Sequence, residues 1–210
     1  MTVAVTFVGA HGQLTFTEHD LNHIMIAIMF QYCPSCGEKG IRLERNRFNC
    51  PSCGFVYFHN TAAATGCIIQ AGERIVLLAR GREPGRGKLD LPGGFVDPGE
   101  GILEGLLREL REELSWEPPV LPGQNLADVF RLFASFPNKY PYKNVIYNTC
   151  DAYFTVSSPG LSEKDLKAEA DEITEIRFLR PGEIDLDDMA FDSTRRAIEA
   201  FRKLLNRRVP

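Results

Sequence analysis

From residue 62 onward, apolar and polar positions fall into short blocks of changing period. Ala62 to Gln70 and Arg74 to Arg80 are apolar runs containing β-branched residues, separated by Ala71-Gly72-Glu73, which is the pattern of a β-hairpin. After Pro98-Gly99 the period lengthens from two to about 3.6 residues and holds through Leu114, predicting a helix. On a helical wheel Leu103, Leu106, Leu107, Leu110 and Leu114 form one stripe, as a core-facing helix requires. Asp128 to Ser135, Asn144 to Val156 and Ile173 to Leu179 read as strands, and Thr194 to Leu205 reads as a closing helix capped by Asp192 or Ser193. Strands enclosing a central helix, with another helix at the end, make an α/β sandwich.

The amino-terminal part is different. Residues 1–28 show neither a clear period nor strong turn punctuation, and Met25 and Met29 stand directly before the first recognisable module, so an internal start is one expectation. The expected organisation is an extension over 1–28, a small cysteine module over 29–60 and the α/β domain over 61–210. A chain of 210 residues has room for one full domain plus a small module.

Lys and Arg number 24 against 28 Asp and Glu, for a formal charge of -4. That balance leaves no net basic surface to hold a nucleic-acid backbone by counterion release, so a polymeric nucleic acid is disfavoured as substrate. The longest apolar run, Ile24 to Phe30, is far shorter than the roughly 20 residues that cross a bilayer, and no basic segment precedes it. These features predict a cytoplasmic protein with no membrane partner.

Four of the six cysteines form two matched knuckles, Cys33-Pro34-Ser35-Cys36-Gly37 and Cys50-Pro51-Ser52-Cys53-Gly54, with thirteen residues between Cys36 and Cys50. Two Cys-x-x-Cys pairs at this spacing are the pattern of four thiolates around a tetrahedral structural Zn²⁺, and such a set leaves no open catalytic position. Cys67 and Cys150, inside expected strands, read as small buried apolar residues.

Glu109, Glu112 and Glu113, spaced i, i+3 and i+4, leave the predicted helix on the side opposite the leucines. Like charges so placed repel, and a hard cation such as Mg²⁺ or Mn²⁺, which takes oxygen ligands, would relieve them. An ordinary solvated acidic face is the alternative. The preceding loop adds weight to the cation: Gly93 and Gly94 let the backbone approach a ligand closely, and Asp97-Pro98-Gly99-Glu100 turns into the helix.

Taken together, Gly94, five residues, Glu100, seven residues and then Arg108-Glu109-Leu110-Arg111-Glu112-Glu113-Leu114-Ser115-Trp116 resemble the signature of the Nudix hydrolases along its whole length. Ser115 stands where that family usually has Gly. The resemblance implies a Nudix α/β/α sandwich with a mixed sheet, preceded by a small zinc ribbon. It further implies a Mg²⁺- or Mn²⁺-dependent hydrolase that cleaves the diphosphate of a nucleoside diphosphate linked to another moiety. Carried over by position, Glu112 and Glu113 are metal ligands, Glu109 a ligand or general base, the Gly94 carbonyl a further ligand, and Arg108 with Glu100 a supporting ion pair. Glu172 resembles the acid that some members place before a late strand, as ligand or base.

Arg80, Arg82, Arg86 and Lys88 crowd the segment before Leu91 and are candidates for phosphate contacts, with Arg80 and Lys88 foremost and a flexible basic loop the reading for at least two of the four. Phe136, Tyr140 and Tyr142 are candidates to stack on a base or sugar, Phe136 and Tyr140 foremost, with a loop anchored by its aromatics as the alternative. A zinc ribbon joined to a Nudix domain is similar to the organisation of bacterial NADH pyrophosphatases, although Ala134 to Tyr142 departs from the stretch those enzymes carry there. The resemblance adds a homodimer as an expectation. Two rival readings stay open: a triphosphatase that removes oxidised nucleotides, and a regulator on a Nudix domain that senses nucleotides or binds nucleic acid or a protein partner.

Overall fold

The computed structural model describes residues 4–9, 12–17, 31–40, 42–44, 46–118, 120, 122–143 and 145–207. The chain divides into two compact units, Met1–Asn60 and Thr61–Pro210.

In the first unit, β1 (Ala4–Gly9) and β2 (Gly12–Thr17) pair antiparallel, from Ala4 opposite Thr17 to Gly9 opposite Gly12. The sequence shows no clear period there, so this pairing is a correction; residues 18–30, which include Met25 and Met29, lie outside the described residues. Three short strands, β3 (Arg42–Glu44), β4 (Arg47–Asn49) and β5 (Val56–Phe58), form a separate antiparallel sheet beside the two cysteine knuckles. Phe48 is buried on this sheet and stacks on Tyr57, with ring centroids 4.9 Å apart.

The second unit is built on a six-stranded mixed sheet. Its strands are β6 (Ala62–Ala71), β7 (Arg74–Arg80), β8 (Leu89–Asp90), β9 (Arg131–Tyr142), β10 (Val145–Ser157) and β11 (Ile173–Leu179). The order is β11-β7-β6-β10-β9, with β8 on β7; β6 and β10 run parallel and the other pairs antiparallel. The predicted hairpin is present, closed at Ala71 opposite Arg74 with Gly72 at a φ of 65°.

Two faces of the sheet carry two cores. Because side chains alternate along a strand, Cys67, Ile69, Val76 and Leu78 face one way, against α1 (Ile102–Leu114). Ile68, Ile75, Leu77 and Ala79 face the other, against α3 (Asp192–Asn206). Leu106, Leu110 and Leu114 are fully buried, and Leu103 and Leu107 pack beside them, so the predicted stripe is the packing face of α1. Burying one such leucine contributes about 1.5–3 kcal/mol.

Three local expectations change. Asp128 and Val129 belong to the short helix α2 (Leu126–Val129), capped by the Asn125 side chain on the Ala127 N–H, and the strand starts only at Arg131. The closing helix starts two residues early, with Phe191 at the N-cap and no side-chain cap; Ser193 cannot cap because its buried hydroxyl is bonded to Asp151. Cys150 is exposed on β10, whereas Cys67 is buried.

Candidate active site

The loop after β8 runs along β6. Thr65 N–H donates to the Gly94 carbonyl (2.8 Å), Cys67 N–H to the Pro92 carbonyl (2.9 Å) and Val96 N–H to the Ala63 carbonyl (3.1 Å). This approach needs glycine: Gly93 has a φ of 141°, and a Cβ on it would overlap the Thr65 carbonyl. A Cβ on Gly94 would overlap the Glu109 carboxylate. Held this close, the Gly93 N–H donates to Glu113 Oε2 at 2.8 Å.

Arg108 ties the loop to α1. Its Nε donates to Glu100 Oε1 (2.8 Å), its Nη1 to Glu109 Oε1 (3.0 Å) and Glu112 Oε2 (2.9 Å), and its Nη2 to the Phe95 carbonyl (2.9 Å). The bond from Arg108 holds Glu100 below the usual carboxylate range, and Glu100 in turn raises the guanidinium of Arg108. The helix ends as the sequence pattern requires despite the serine: Ser115 takes the left-handed conformation (φ 49°), and Trp116 N–H reaches the Leu110 carbonyl (3.3 Å).

One cavity gathers Glu109, Glu113 and Glu172 with Gly94, Arg80, Arg82 and Tyr140. Burial pushes Glu113 well above the usual carboxylate range, opposed by the Gly93 N–H and reinforced by the charges of Glu109, Asp90 and Glu172. Burial also raises Glu109, and the Arg108 bond works against it. Converging half-buried carboxylates beside a backbone carbonyl with a lone pair to spare fit a hard divalent cation, which prefers oxygen ligands.

Three sequence candidates lie elsewhere. Glu112 is 57% exposed and holds Arg108. Lys88 Nζ donates to the Asp187 carbonyl at 3.2 Å. Phe136 packs near Tyr153, with centroids 6.3 Å apart, under the guanidinium of Arg196. Arg80 lines the cavity but is committed to the Pro84 carbonyl (2.7 Å), to Asp90 (3.1 Å) and to the face of Phe191 (4.9 Å). Arg82 is freer: 56% exposed, it meets Glu172 Oε1 at 2.5 Å. Tyr140 sits edge-on to Phe95 at 5.2 Å.

Sequence reasoning missed Asp90, Thr149, Asp151, Tyr153 and Thr194, which line the same cavity. A usable signal existed for two of them, since Asp90 lies between Leu89 and Leu91 and Asp151 interrupts the apolar run to Val156.

In the first unit the sulfur atoms of Cys33, Cys36, Cys50 and Cys53 lie within 4.8 Å of one another. Cys33 to Cys53 and Cys36 to Cys50 are each 3.7 Å, close to the ~3.8 Å edge of a tetrahedron with Zn–S bonds of about 2.3 Å. Gly37 and Gly54, both at a φ of 74°, donate to the Cys33 and Cys50 carbonyls, so the two knuckles have the same shape. The four thiolates fit Zn²⁺.

Among the described residues no helix is long and apolar enough to cross a membrane. An ADP-ribose pyrophosphatase from Methanocaldococcus jannaschii is 36% identical over 91 residues, covering 43% of this chain and 49% of that protein. A NAD-capped RNA hydrolase NudC from Chromobacterium violaceum is 30% identical over 109 residues, covering 51% of this chain and 39% of that protein. The chain thus spans about half or less of the curated relatives it matches. In fold it is similar to a NUDIX hydrolase from Nitrosomonas europaea, with a TM-score of 0.57 at 21% identity, covering 85% of this chain and 92% of the other. The NUDIX domain model matches residues 60–201, more than half of the chain and the whole span that builds the cavity, and the protein is thereby a member of the NUDIX family.

Proposed function

We propose that this protein is a Mg²⁺- or Mn²⁺-dependent pyrophosphohydrolase that cleaves the diphosphate of a nucleoside diphosphate linked to another moiety. The observation that carries the reading is the convergence of Glu109, Glu113 and Glu172 beside Gly94 in one cavity. Glu109, Glu113 and the Gly94 carbonyl would hold the cation, with Glu112 completing the set once Arg108 yields it. Bound there, a divalent cation offsets charge on the diphosphate and lowers the pKa of water. Glu172 would accept the proton of the attacking water, and Arg82, exposed beside it, would meet the phosphate oxygens. The products are a nucleoside monophosphate and the second moiety carrying the other phosphate. In the first unit the cysteine cluster would hold a structural Zn²⁺.

The geometry favours an enzyme over a sensor because the acidic groups that a hydrolase needs are present and two of them are held against solvation. The test is incubation with Mg²⁺ or Mn²⁺ and a panel of NADH, ADP-ribose, nucleotide sugars, dinucleoside polyphosphates and nucleoside triphosphates, with products identified by mass. Turnover of one class, lowered by about 10³-fold or more in Glu113→Gln, is the expected result. Wild-type silence across the panel would replace the reading with a nucleotide sensor.

A further inference from the structure

Glu172 reaches the cavity because β11 carries one residue more than its partner strand. Ile173 pairs with Arg80 and Glu175 with Ala79, so Thr174 is extra, and its hydroxyl donates to the Ala79 carbonyl at 3.2 Å. A bulge of this kind reverses the alternation of side chains. Ile173 thereby joins Ile176 and Phe178 in the apolar layer on α1, although it stands an odd number of residues before Ile176. Glu172, the residue before the bulge, is left outside that layer and lines the cavity.

The backbone of Glu172 is fixed from two sides. Gly81 N–H donates to the Glu172 carbonyl at 2.6 Å, and a Cβ on Gly81 would stand 3.0 Å from that oxygen. Glu172 N–H donates to the Glu169 carbonyl (3.2 Å), and Glu169 N–H to the carbonyl of Glu113 (3.0 Å) at the end of α1. The carboxylate is held by a different kind of contact, from the residue next to Gly81: Arg82 Nη1 meets Glu172 Oε1 at 2.5 Å. The two side chains are 56% and 33% exposed. Solvent screens a pair so placed, and its formation is worth a factor of about five or less.

Two guanidinium groups line the cavity, Arg80 and Arg82. Arg80 is fixed by the Pro84 carbonyl, Asp90 and the Phe191 ring. Arg82 has Glu172 as its one acidic partner among the described residues. A guanidinium offers five N–H donors in a fork that matches two phosphate oxygens, and a diphosphate carries more charge than one carboxylate. While Arg82 holds Oε1, that oxygen is not open to a proton of water.

We infer that Arg82 is a transferable counter-ion and a positioning residue for Glu172. It holds the carboxylate in the free protein and passes to the diphosphate when that binds, so that Glu172 is released toward water only in the loaded site. The backbone contacts of Gly81 and Glu169 keep Glu172 in place during the exchange. The inference rests on the diphosphate-hydrolase reading, which supplies both the anion and the role of Glu172.

The test is a double-variant cycle read by binding. Calorimetry with excess Mg²⁺ titrates methylenediphosphonate, whose P–C–P bridge water cannot cleave, into wild type, Glu172→Gln, Arg82→Ala and the double variant. Removing a negative charge beside an anion should tighten binding in both backgrounds. If Arg82 must leave Glu172 to bind, the gain from Glu172→Gln is expected to be about two- to fivefold larger when Arg82 is present. Equal gains in the two backgrounds, a larger gain without Arg82, or no binding by any of the four proteins would overturn the inference. Arg82→Gln takes the place of Arg82→Ala if that variant lacks native circular dichroism. Failure of the hydrolase reading would register separately, as absent turnover across the substrate panel with the difference between backgrounds intact.

Discussion

Gly93 and Gly94 are adjacent and alike in sequence, yet alanine at each should fail in a different way. At Gly93 the new Cβ would meet the Thr65 carbonyl and the Gly66 Cα, both part of β6 in the middle of the sheet, and the φ of 141° is itself unfavourable to an L side chain. Backbone in a central strand cannot yield locally, so overpacking and strain together predict a loss of about 3 kcal/mol or more. For a unit of this size that lowers Tm by roughly 6–12 °C. At Gly94 the Cβ would meet only the carboxylate of Glu109, the far end of a flexible side chain. Glu109 can swing aside, so stability should change by less than about 1 kcal/mol. Its carboxylate would be displaced by an ångström or more, which costs on the order of 10²-fold in turnover. Thermal denaturation and steady-state hydrolysis on both variants check this. Equal Tm losses, or a Gly94→Ala protein with wild-type turnover, would refute the argument that the loop is set by backbone contact at one glycine and by carboxylate clearance at the other.

Ser115→Gly should stabilise the protein by about 0.5–1 kcal/mol, because the left-handed cap strains a serine while glycine gives back part of the gain as unfolded-state entropy; a lower Tm would contradict the cap geometry. Arg108→Lys cannot reproduce contacts to Glu100, Glu109, Glu112 and the Phe95 carbonyl from one ammonium, and should cut kcat/KM by about 10–100-fold with the fold retained by circular dichroism. Cys33→Ser or Cys50→Ser should lower bound zinc, measured by atomic emission on purified protein; unchanged stoichiometry in both would exclude the four-thiolate site.

Much of the α/β domain was legible because its signals are local and periodic. The leucine stripe of α1, the hairpin turn at Gly72 and the strand Ile173–Leu179 follow from spacing alone. Errors arose where a tertiary partner overrides a local preference. Ser193 has the chemistry of a helix cap, but Asp151, far away in sequence, takes its hydroxyl; no window around residue 193 contains that information. Site residues divide the same way. Glu109 and Glu113 could be found because one helix carries both, whereas Glu112, equally prominent in the pattern, points at Arg108 instead of the cavity. Lys88 and Arg80 look alike as basic residues in a loop, and only the register of β7 with β8 separates them, with Arg80 beside Asp90 and Lys88 turned to Asp187.

The two sheet faces have a division of labour that follows from the parallel register of β6 and β10. Ala64 lies opposite Asp151 and Thr65 opposite Ala152, so consecutive residues of one strand serve opposite faces. On the α1 face the loop from Leu91 to Val96 borrows β6 as a template, and its glycines bring Gly93 N–H and the Gly94 carbonyl to the carboxylate helix. On the α3 face the same strand pair supports Asp151 and Tyr153; Ser193 of α3 bonds to both, and Thr149 of β10 also donates to Asp151. β8 joins the two, because Asp90 completes the α3-face chain and the residues directly after it form the glycine loop. A change in the buried hydroxyls that reaches Asp90 is therefore felt at the carboxylate site both through three residues of backbone and through the charge of Asp90 on Glu113. Substitutions at Thr194, which releases Asp90, should consequently perturb turnover more than those at Ser193, whose hydroxyl bonds to Asp151 and Tyr153. Comparable losses of kcat in Thr194→Val and Ser193→Ala at equal Tm would show that the two faces communicate by some other route.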